Sequence, residues 1–426
     1  MEILRNRFRW VICAVLFLGT TKNYMDRQVL GVLKPVLQAQ FHWSEIDYSN
    51  LVFLFQTAYA LGMLGVGWFI DRFGVRIGYA VAMFCWSVAS LLHAFAHSLA
   101  GFGIARFGLG FWEAGVFPAG IKTVAEWFPA RERALATGMF NAGSNLGAVL
   151  TPLLVPWIAS AFGWRWAFVF TGALGFGWIA LWLAVYRAPE KQPRCSQEEL
   201  QTIRGDSAEE TRTIAWKSLF GYRQTWTMVC VKFLVDPIWW FYLFWIPDFL
   251  HRSYGLDLMH IGLPIVVVYL ISDVGSVAGG WLSSKLIASG MSVNWSRKLA
   301  MLICAAAALP VMFVYRLTNL WLAVILLGVA AAAHQGYSAN LYTVASDLFP
   351  KRAVASIIGL SGTAAGIGGM FIAKLVGYIL QWSGSYMVPF VIAGCSYSVA
   401  LIVLQLMSPR LRPVEVVPEG MITSRG

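Results

Sequence analysis

Glu126-Trp127-Phe128-Pro129-Ala130-Arg131 returns 221 residues later as Asp347-Leu348-Phe349-Pro350-Lys351-Arg352. The same shift superposes Ala134 on Ala355, Gly138 on Gly359 and Gly147 on Gly368, so the chain reads as two related halves. Each copy follows a long apolar run. Carried back through those runs, the shift sets Glu113 opposite His334 and Arg106 opposite Leu327, and only the first run holds an Arg and a Glu. Ionisable groups at matching depth in a hydrophobic repeat predict a shared site within a membrane.

The composition agrees. Of 426 residues, 58% are hydrophobic and 12% charged, and the mean hydropathy is +0.64. A soluble domain of this length needs about twice that charge on its surface. Runs long enough to cross a bilayer, each needing about 20 residues, fall near 8–34, 46–70, 75–96, 99–122, 133–161, 165–187, 223–250, 259–287, 297–315, 319–345, 353–380 and 384–408. Runs of this length predict helices, because barrel strands alternate apolar and polar over far shorter pieces. The expected fold is an all-α membrane protein: twelve spans in two pseudo-symmetric six-helix bundles, 1–190 and 223–411, with a cytoplasmic linker at 191–222 and a tail at 412–426.

Most of the 32 Lys and Arg residues fall at the ends and on alternate loops, among them Arg72, Arg76, Arg131, Arg133, Arg297, Lys298, Lys351 and Arg352. The opposite loops hold Lys34, Arg165, Arg252 and Arg316. Lys and Arg collect on the cytoplasmic side, which predicts both termini there, in a cell inner membrane. The net charge of +11 then follows from topology, and no nucleic-acid partner is needed. Basic residues ahead of Trp10–Gly19 imitate a signal peptide, but Lys22, Asp26 and Arg27 follow without a cleavage pattern, so an uncleaved first helix is expected. The six cysteines give neither a disulfide framework nor metal-ligand spacing.

In the linker, Ser196-Gln197-Glu198-Glu199 has capping-box spacing and predicts a short surface helix. Ile214 to Phe220 reads as a second, interfacial piece. The pairs Gly143 and Gly147, Gly275 and Gly279, and Gly362 and Gly366 predict close helix packing in lipid. None is a phosphate loop, since no Lys-Ser or Lys-Thr follows.

Between the second and third spans stands Gly67-Trp68-Phe69-Ile70-Asp71-Arg72-Phe73-Gly74-Val75-Arg76. Gly74 permits a tight turn, and Asp71, with Arg72 and Arg76, is placed to latch and release neighbouring helix ends. This loop resembles the signature of the major facilitator superfamily. In the second half only Gly280-Trp281-Leu282 and Arg297-Lys298 echo it, and the expected acid is missing.

A narrower resemblance rests on Asn23-Tyr24-Met25-Asp26-Arg27-Gln28, on Ala105-Arg106-Phe107-Gly108-Leu109-Gly110-Phe111-Trp112-Glu113-Ala114, on Ala119-Gly120-Ile121-Lys122 and on Ala333-His334-Gln335. These are similar to the anion:cation symporters of that superfamily, on the hexuronate-transporter branch. The resemblance implies proton-coupled uptake of galacturonate or glucuronate, with Arg27 and Arg106 holding the anion and Asp26 and Glu113 carrying protons. It also implies that Tyr59 faces the substrate.

The residue types support that assignment on their own terms. Arg106 and Glu113 are seven apart, hence on one helix face about 10 Å apart along its axis. A guanidinium stays charged and grips a carboxylate with two hydrogen bonds. A buried carboxyl beside an Arg responds to whatever else that Arg binds, which couples anion to proton reciprocally. Plainer readings stand beside these. Asp26 with Lys22, and Lys232 with Asp236, are four apart and also read as structural ion pairs.

His334 is either a titrating ligand or a histidine bonded to a neighbour, Gln335 a sugar-hydroxyl ligand, and Asn141 and Asn145 either ligands or interhelical hydrogen-bonders. Lys122 and Glu126 read as gating or structural residues, Lys374 and Asp273 as packing or gating. The aromatic run Trp239 to Trp245 reads more readily as lipid-facing or core than as a sugar platform. No catalytic residue, metal or cofactor is expected, and the partners are a small organic anion, protons and lipid, with the chain acting as a monomer. The rivals are an exporter of the same architecture, for which Gly147 with Thr151-Pro152 is a partial match, and a membrane sensor that does not transport.

Overall fold

The computed structural model describes residues 7–205, 219–349 and 351–414, and among them every regular element is helical. Two compact units emerge, Met1–Glu210 with Leu256–Val266, and Thr211–Gly255 with Val267–Gly426.

The first unit contains α1 (Phe8–Phe41), α2 (Glu45–Phe73), α3 (Val75–Ala94), α4 (Leu99–Glu113), α5 (Val116–Trp127), α6 (Ala130–Asn141), α7 (Gly143–Phe162), α8 (Trp164–Val185) and the short α9 (Gln197–Gly205). The second contains α10 (Arg223–Tyr254), most of α11 (Gly262–Ala288), α12 (Val293–Ala308) with a 3-10 extension Leu309–Arg316, α13 (Leu320–Leu348), α14 (Lys351–Ser383) and α15 (Met387–Met407). The fourth and fifth spans are each two helices in series, α4 with α5 and α6 with α7. The twelve spans are therefore all present.

Among the described residues, ten helices are long and apolar enough to cross a membrane on length and composition alone. The two remaining spans are α1, which carries Arg9, Lys22, Asp26, Arg27 and Lys34, and the fourth, interrupted at Ala114–Gly115. Both depart from plain hydropathy and both carry buried charge, Lys22, Asp26, Arg27 and Lys34 in α1 and Arg106 and Glu113 in α4.

The repeat seen in the sequence is also a repeat of packing. In the first unit α1 lies against α7 and α8, and α3 against α4 and α8; in the second, α10 lies against α14 and α15, and α12 against α13 and α15. Gly147 and Gly368, superposed by the 221-residue shift, do the same job. A Cβ on Gly147 would lie 2.3 Å from the Thr21 carbonyl oxygen, and one on Gly368 would lie 2.8 Å from that of Phe233. Only a residue without a Cβ lets α7 approach α1, and α14 approach α10, this closely. Gly143, Gly275 and Gly279 likewise touch facing backbone, whereas Gly362 has open space around it, so the packing role expected for that glycine is not seen.

One boundary differs from the sequence reading. The first helix continues through Pro35 to Phe41, and Lys34, expected in a loop, is buried within it. Its ammonium is paired with Glu45 at 2.8 Å and lies 4.7 Å from the Tyr48 ring centre, which is why the helix tolerates a cation there. The linker helix α9 forms where expected, and Ser196 Oγ accepts from the Glu199 amide at 3.1 Å. The Glu199 carboxylate, however, accepts from the amides of Phe8 and Arg9, the first-turn donors of α1, at 3.1 and 3.0 Å, and from the Arg9 guanidinium. It caps a helix 190 residues away. Most of Ile214–Phe220 lies outside the described residues.

Candidate functional site

The site is built where α1 meets α4. Two glycines bring α4 against α2: a Cβ on Gly110 would stand 2.5 Å from the Phe55 carbonyl oxygen, and one on Gly62 would stand 2.1 Å from that of Phe111. That approach places the Phe55 ring beneath two guanidiniums, Arg106 at 4.7 Å and Arg27 at 5.5 Å from its centre. Arg27 also lies 4.7 Å from the Tyr24 ring and 4.9 Å from that of Tyr59. Aromatic faces carry negative potential, so they hold a desolvated cation without neutralising it.

Arg27 joins the two residues of α4. Its Nε donates to Glu113 Oε2 at 3.3 Å, and its own carbonyl oxygen accepts from Arg106 Nη2 at 2.9 Å. Asn23, one turn earlier, accepts from Arg27 Nη2 at 3.2 Å and donates to the Glu113 carbonyl at 3.4 Å. Arg27 is 1% exposed, and Arg106 and Glu113 are wholly buried. Glu113 Oε1 has no hydrogen-bond partner among the described residues, so one oxygen of this carboxylate is satisfied and the other is not. The Glu113 position ends α4 at the Ala114–Gly115 interruption.

Asp26, next to Arg27 but about 100° around the helix, faces α3. It is ion-paired with Lys22 and accepts from Trp86 Nε1 at 3.1 Å and Ser90 Oγ at 3.2 Å. Lys22 donates to Ser87 Oγ at 2.9 Å, and Gly175 of α8 closes over the pair so tightly that a Cβ would lie 1.9 Å from Ser87 Oγ. Counted formally, the buried cluster sets three cations, Lys22, Arg27 and Arg106, against two carboxylates, Asp26 and Glu113. Its surplus of one positive charge suits an anion.

Other expected residues lie elsewhere. Asn141 is exposed and Asn145 half-buried around the α6–α7 junction. Asp71 is bonded to Lys122 at 2.7 Å, which ties α2 to α5; Arg72 is exposed; Arg76 donates to the Leu183 carbonyl at 2.8 Å. Gly74, at φ +79°, makes the one-residue turn into α3. Glu126 accepts from the Tyr186 hydroxyl.

In the second unit Lys232 is buried, 2.8 Å from Asp236 and 4.2 Å from the Tyr342 ring. His334 Nδ1 lies 3.1 Å from the Tyr397 hydroxyl, and its ring stacks on Trp239 at 5.2 Å. Gln335, Asp273 and Lys374 are half-buried. Phe241 to Trp245 are buried, and Trp239 and Trp240 are half-buried. Arg297, the 221-residue counterpart of Arg76, pairs with Asp347 of α13 at 3.0 Å, an acid outside the loop. Asn23, Tyr24 and Phe55 belong to the cluster although sequence reasoning passed over them. Asn23 and Tyr24 stand in the motif beside Asp26, which was the available signal.

Comparison with known proteins places this geometry in a class. Residues 16–293 match the family model described as Major Facilitator Superfamily, whose members are membrane transporters rather than enzymes. The chain is 34% identical over 383 residues to the hexuronate transporter of Escherichia coli (strain K12), covering 88% of both chains. It is 35% identical over 305 residues to the galacturonate transporter of Dickeya chrysanthemi, covering 70% of this chain and 88% of that one. Among solved structures, a D-xylose-proton symporter superposes with a TM-score of 0.72 at 17% identity, over 96% of this chain and 98% of that one, a likeness of fold. The chain belongs to the Major Facilitator Superfamily and is a multi-pass membrane protein.

Proposed function

We propose that this chain is a proton-coupled symporter of a sugar-acid anion, a hexuronate such as galacturonate or glucuronate. It works by alternating access as a monomer in the inner membrane, with both termini cytoplasmic. The observation that carries this reading is the buried cluster of Arg27, Arg106 and Glu113, with its surplus positive charge and a half-satisfied carboxylate. The relatives named for hexuronate and galacturonate transport support the choice of substrate.

In this account Arg106 and Arg27 grip the substrate carboxylate between Phe55, Tyr24 and Tyr59. A carboxylate arriving at Arg27 competes with Glu113 for the same guanidinium. A bare carboxylate in a dry site is costly, so Glu113 takes up a proton as the substrate docks. The coupling is reciprocal: a protonated Glu113 frees Arg27 for the anion. Asp26 carries a second proton and parts from Lys22 when loaded. Asn141, Asn145, Lys232, His334 and Gln335 are assigned to the sugar hydroxyls, and Asp71, Arg72 and Arg76 to gating.

The test is uptake of radiolabelled galacturonate into proteoliposomes with and without an inward proton gradient. The proposal expects accumulation above the external concentration only with the gradient, and uptake indifferent to it removes the symport reading.

A further inference from the structure

At one end of the second unit, an open cavity of about 520 Å³ is lined by Arg223, Gln224, Met407, Ser408, Pro409, Arg410 and Arg412. Three of its seven lining residues are arginines and none is acidic. The segment after α15 is held in place. Lys298 Nζ donates to the carbonyls of Ser408 and Pro409 at 2.9 and 2.7 Å, the Leu411 amide donates to Asn294 Oδ1 at 3.0 Å, and the Val414 amide donates to the Leu348 carbonyl at 2.7 Å. Arg410 and Arg412 are thereby set beside Arg223, whose Nη2 donates to the Leu406 carbonyl at 2.6 Å. Arg223 opens the 32-residue α10, whose N-cap Tyr222 makes no side-chain capping bond, so the positive end of a long helix also borders the cavity.

Below the arginines the surface turns apolar. Val399, Ile402 and Leu406, at helical spacing on one face of α15, are 45%, 58% and 67% exposed, and Trp226 is 45% exposed. Trp226 Nε1 donates to the Phe220 carbonyl at 2.9 Å, which sets the indole in the manner of an interfacial anchor.

We infer that this cavity binds the headgroup of an anionic phospholipid. The guanidiniums take the phosphate, and the Val399, Ile402 and Leu406 face receives an acyl chain. Arginine matches phosphate oxygens with paired donors, and juxtamembrane basic clusters recognise anionic lipid through the same attraction. A soluble phosphate would use the guanidiniums but gain nothing from the apolar face, so the combination selects a lipid. This site is separate from the α1–α4 cluster and does not depend on the transport reading.

The experiment is native mass spectrometry of the full chain in detergent, with phosphatidylglycerol and phosphatidylcholine of identical chains offered together. The wild type is expected to retain the anionic lipid with a preference on the order of a hundredfold, about fivefold from each arginine. Arg223→Gln, Arg410→Gln and Arg412→Gln together should bring the two lipids to parity. Arg410 and Arg412 follow the last helix, so their single variants are expected to fold and to lose about fivefold each. Arg316→Gln, an arginine outside the cavity, should change nothing. Equal retention of the two lipids by the wild type, single variants that keep the full preference, or displacement of the lipid by millimolar inorganic phosphate would each overturn the inference.

Discussion

The two halves of this molecule share one helical plan and differ in what they bury at corresponding depths. In the first, α4 presents Arg106 and Glu113 to Arg27 of α1. In the second, the matching positions of α13 are Leu327, wholly buried, and His334, stacked on Trp239 beside Tyr397. Lys232 of α10 is neutralised within its own helix by Asp236. The first half therefore carries surplus charge and the second a balanced pair among aromatic rings. The duplicated scaffold has kept its packing, and on the proposed function it divides the labour: charge recognition in one half, ring and hydroxyl contacts in the other.

The largest contrast is between Arg106 and Leu327. Arg106→Ala should abolish galacturonate binding, a loss of at least about a hundredfold in affinity for a charge-assisted pair. Leu327→Ala should cost about 2–5 kcal/mol of stability and leave affinity within a few-fold. Equilibrium binding and thermal unfolding of both purified variants separate the two effects. Equal binding losses would mean that the halves are not divided in this way.

Next come the acids and their counterpart. Glu113→Gln and Asp26→Asn should each end gradient-driven accumulation while substrate exchange continues in part, as read in proteoliposomes by uptake and counterflow. His334→Asn should keep the response to the gradient and weaken affinity by less than about tenfold, the scale of one lost hydrogen bond. A histidine variant that loses coupling would move the proton site into the second half.

Packing offers a third comparison. A methyl added at Gly110 meets the Phe55 carbonyl oxygen at 2.5 Å, whereas nothing lies within 4 Å of one added at Gly362. Gly110→Ala should displace α4 from α2 and cut transport by about tenfold or more, since small misplacements of binding groups are costly. Gly362→Ala should transport normally. The smallest effect expected is at the latches. Asp71→Asn breaks a largely exposed pair with Lys122 and should change stability by less than about 1 kcal/mol. Asp347→Asn breaks the less exposed pair with Arg297 and should cost more on thermal unfolding.

Much of this was legible from residues alone, because lipid leaves little choice. A span must be apolar and helical, so the twelve runs declare themselves, and a repeat with fixed spacing reveals the doubling. Partners across space were not legible. Lys34 looked like a loop cation because the acid that buries it, Glu45, stands on the next helix. Glu199 has the spacing of a local cap yet serves α1, since only tertiary packing brings that helix end to it. The partner of Arg297 is not legible in its own loop because Asp347 comes from α13.

At the candidate site, Arg106 and Glu113 were visible as one face of a helix. That Arg27 bridges them, and that Asp26 turns the other way toward Trp86 and Ser90, depends on how α1 is rotated against α4 and α3. The period of a hydrophobic pattern does not specify that rotation.

The central claim is that Glu113 takes up a proton when a substrate carboxylate displaces it from Arg27. Calorimetry of galacturonate binding in buffers of different ionisation enthalpy counts protons taken up as the ligand docks. Uptake of a proton by the wild type, lost in Glu113→Gln, is the predicted result; binding without proton uptake in the wild type, or with the same uptake in both proteins, contradicts it.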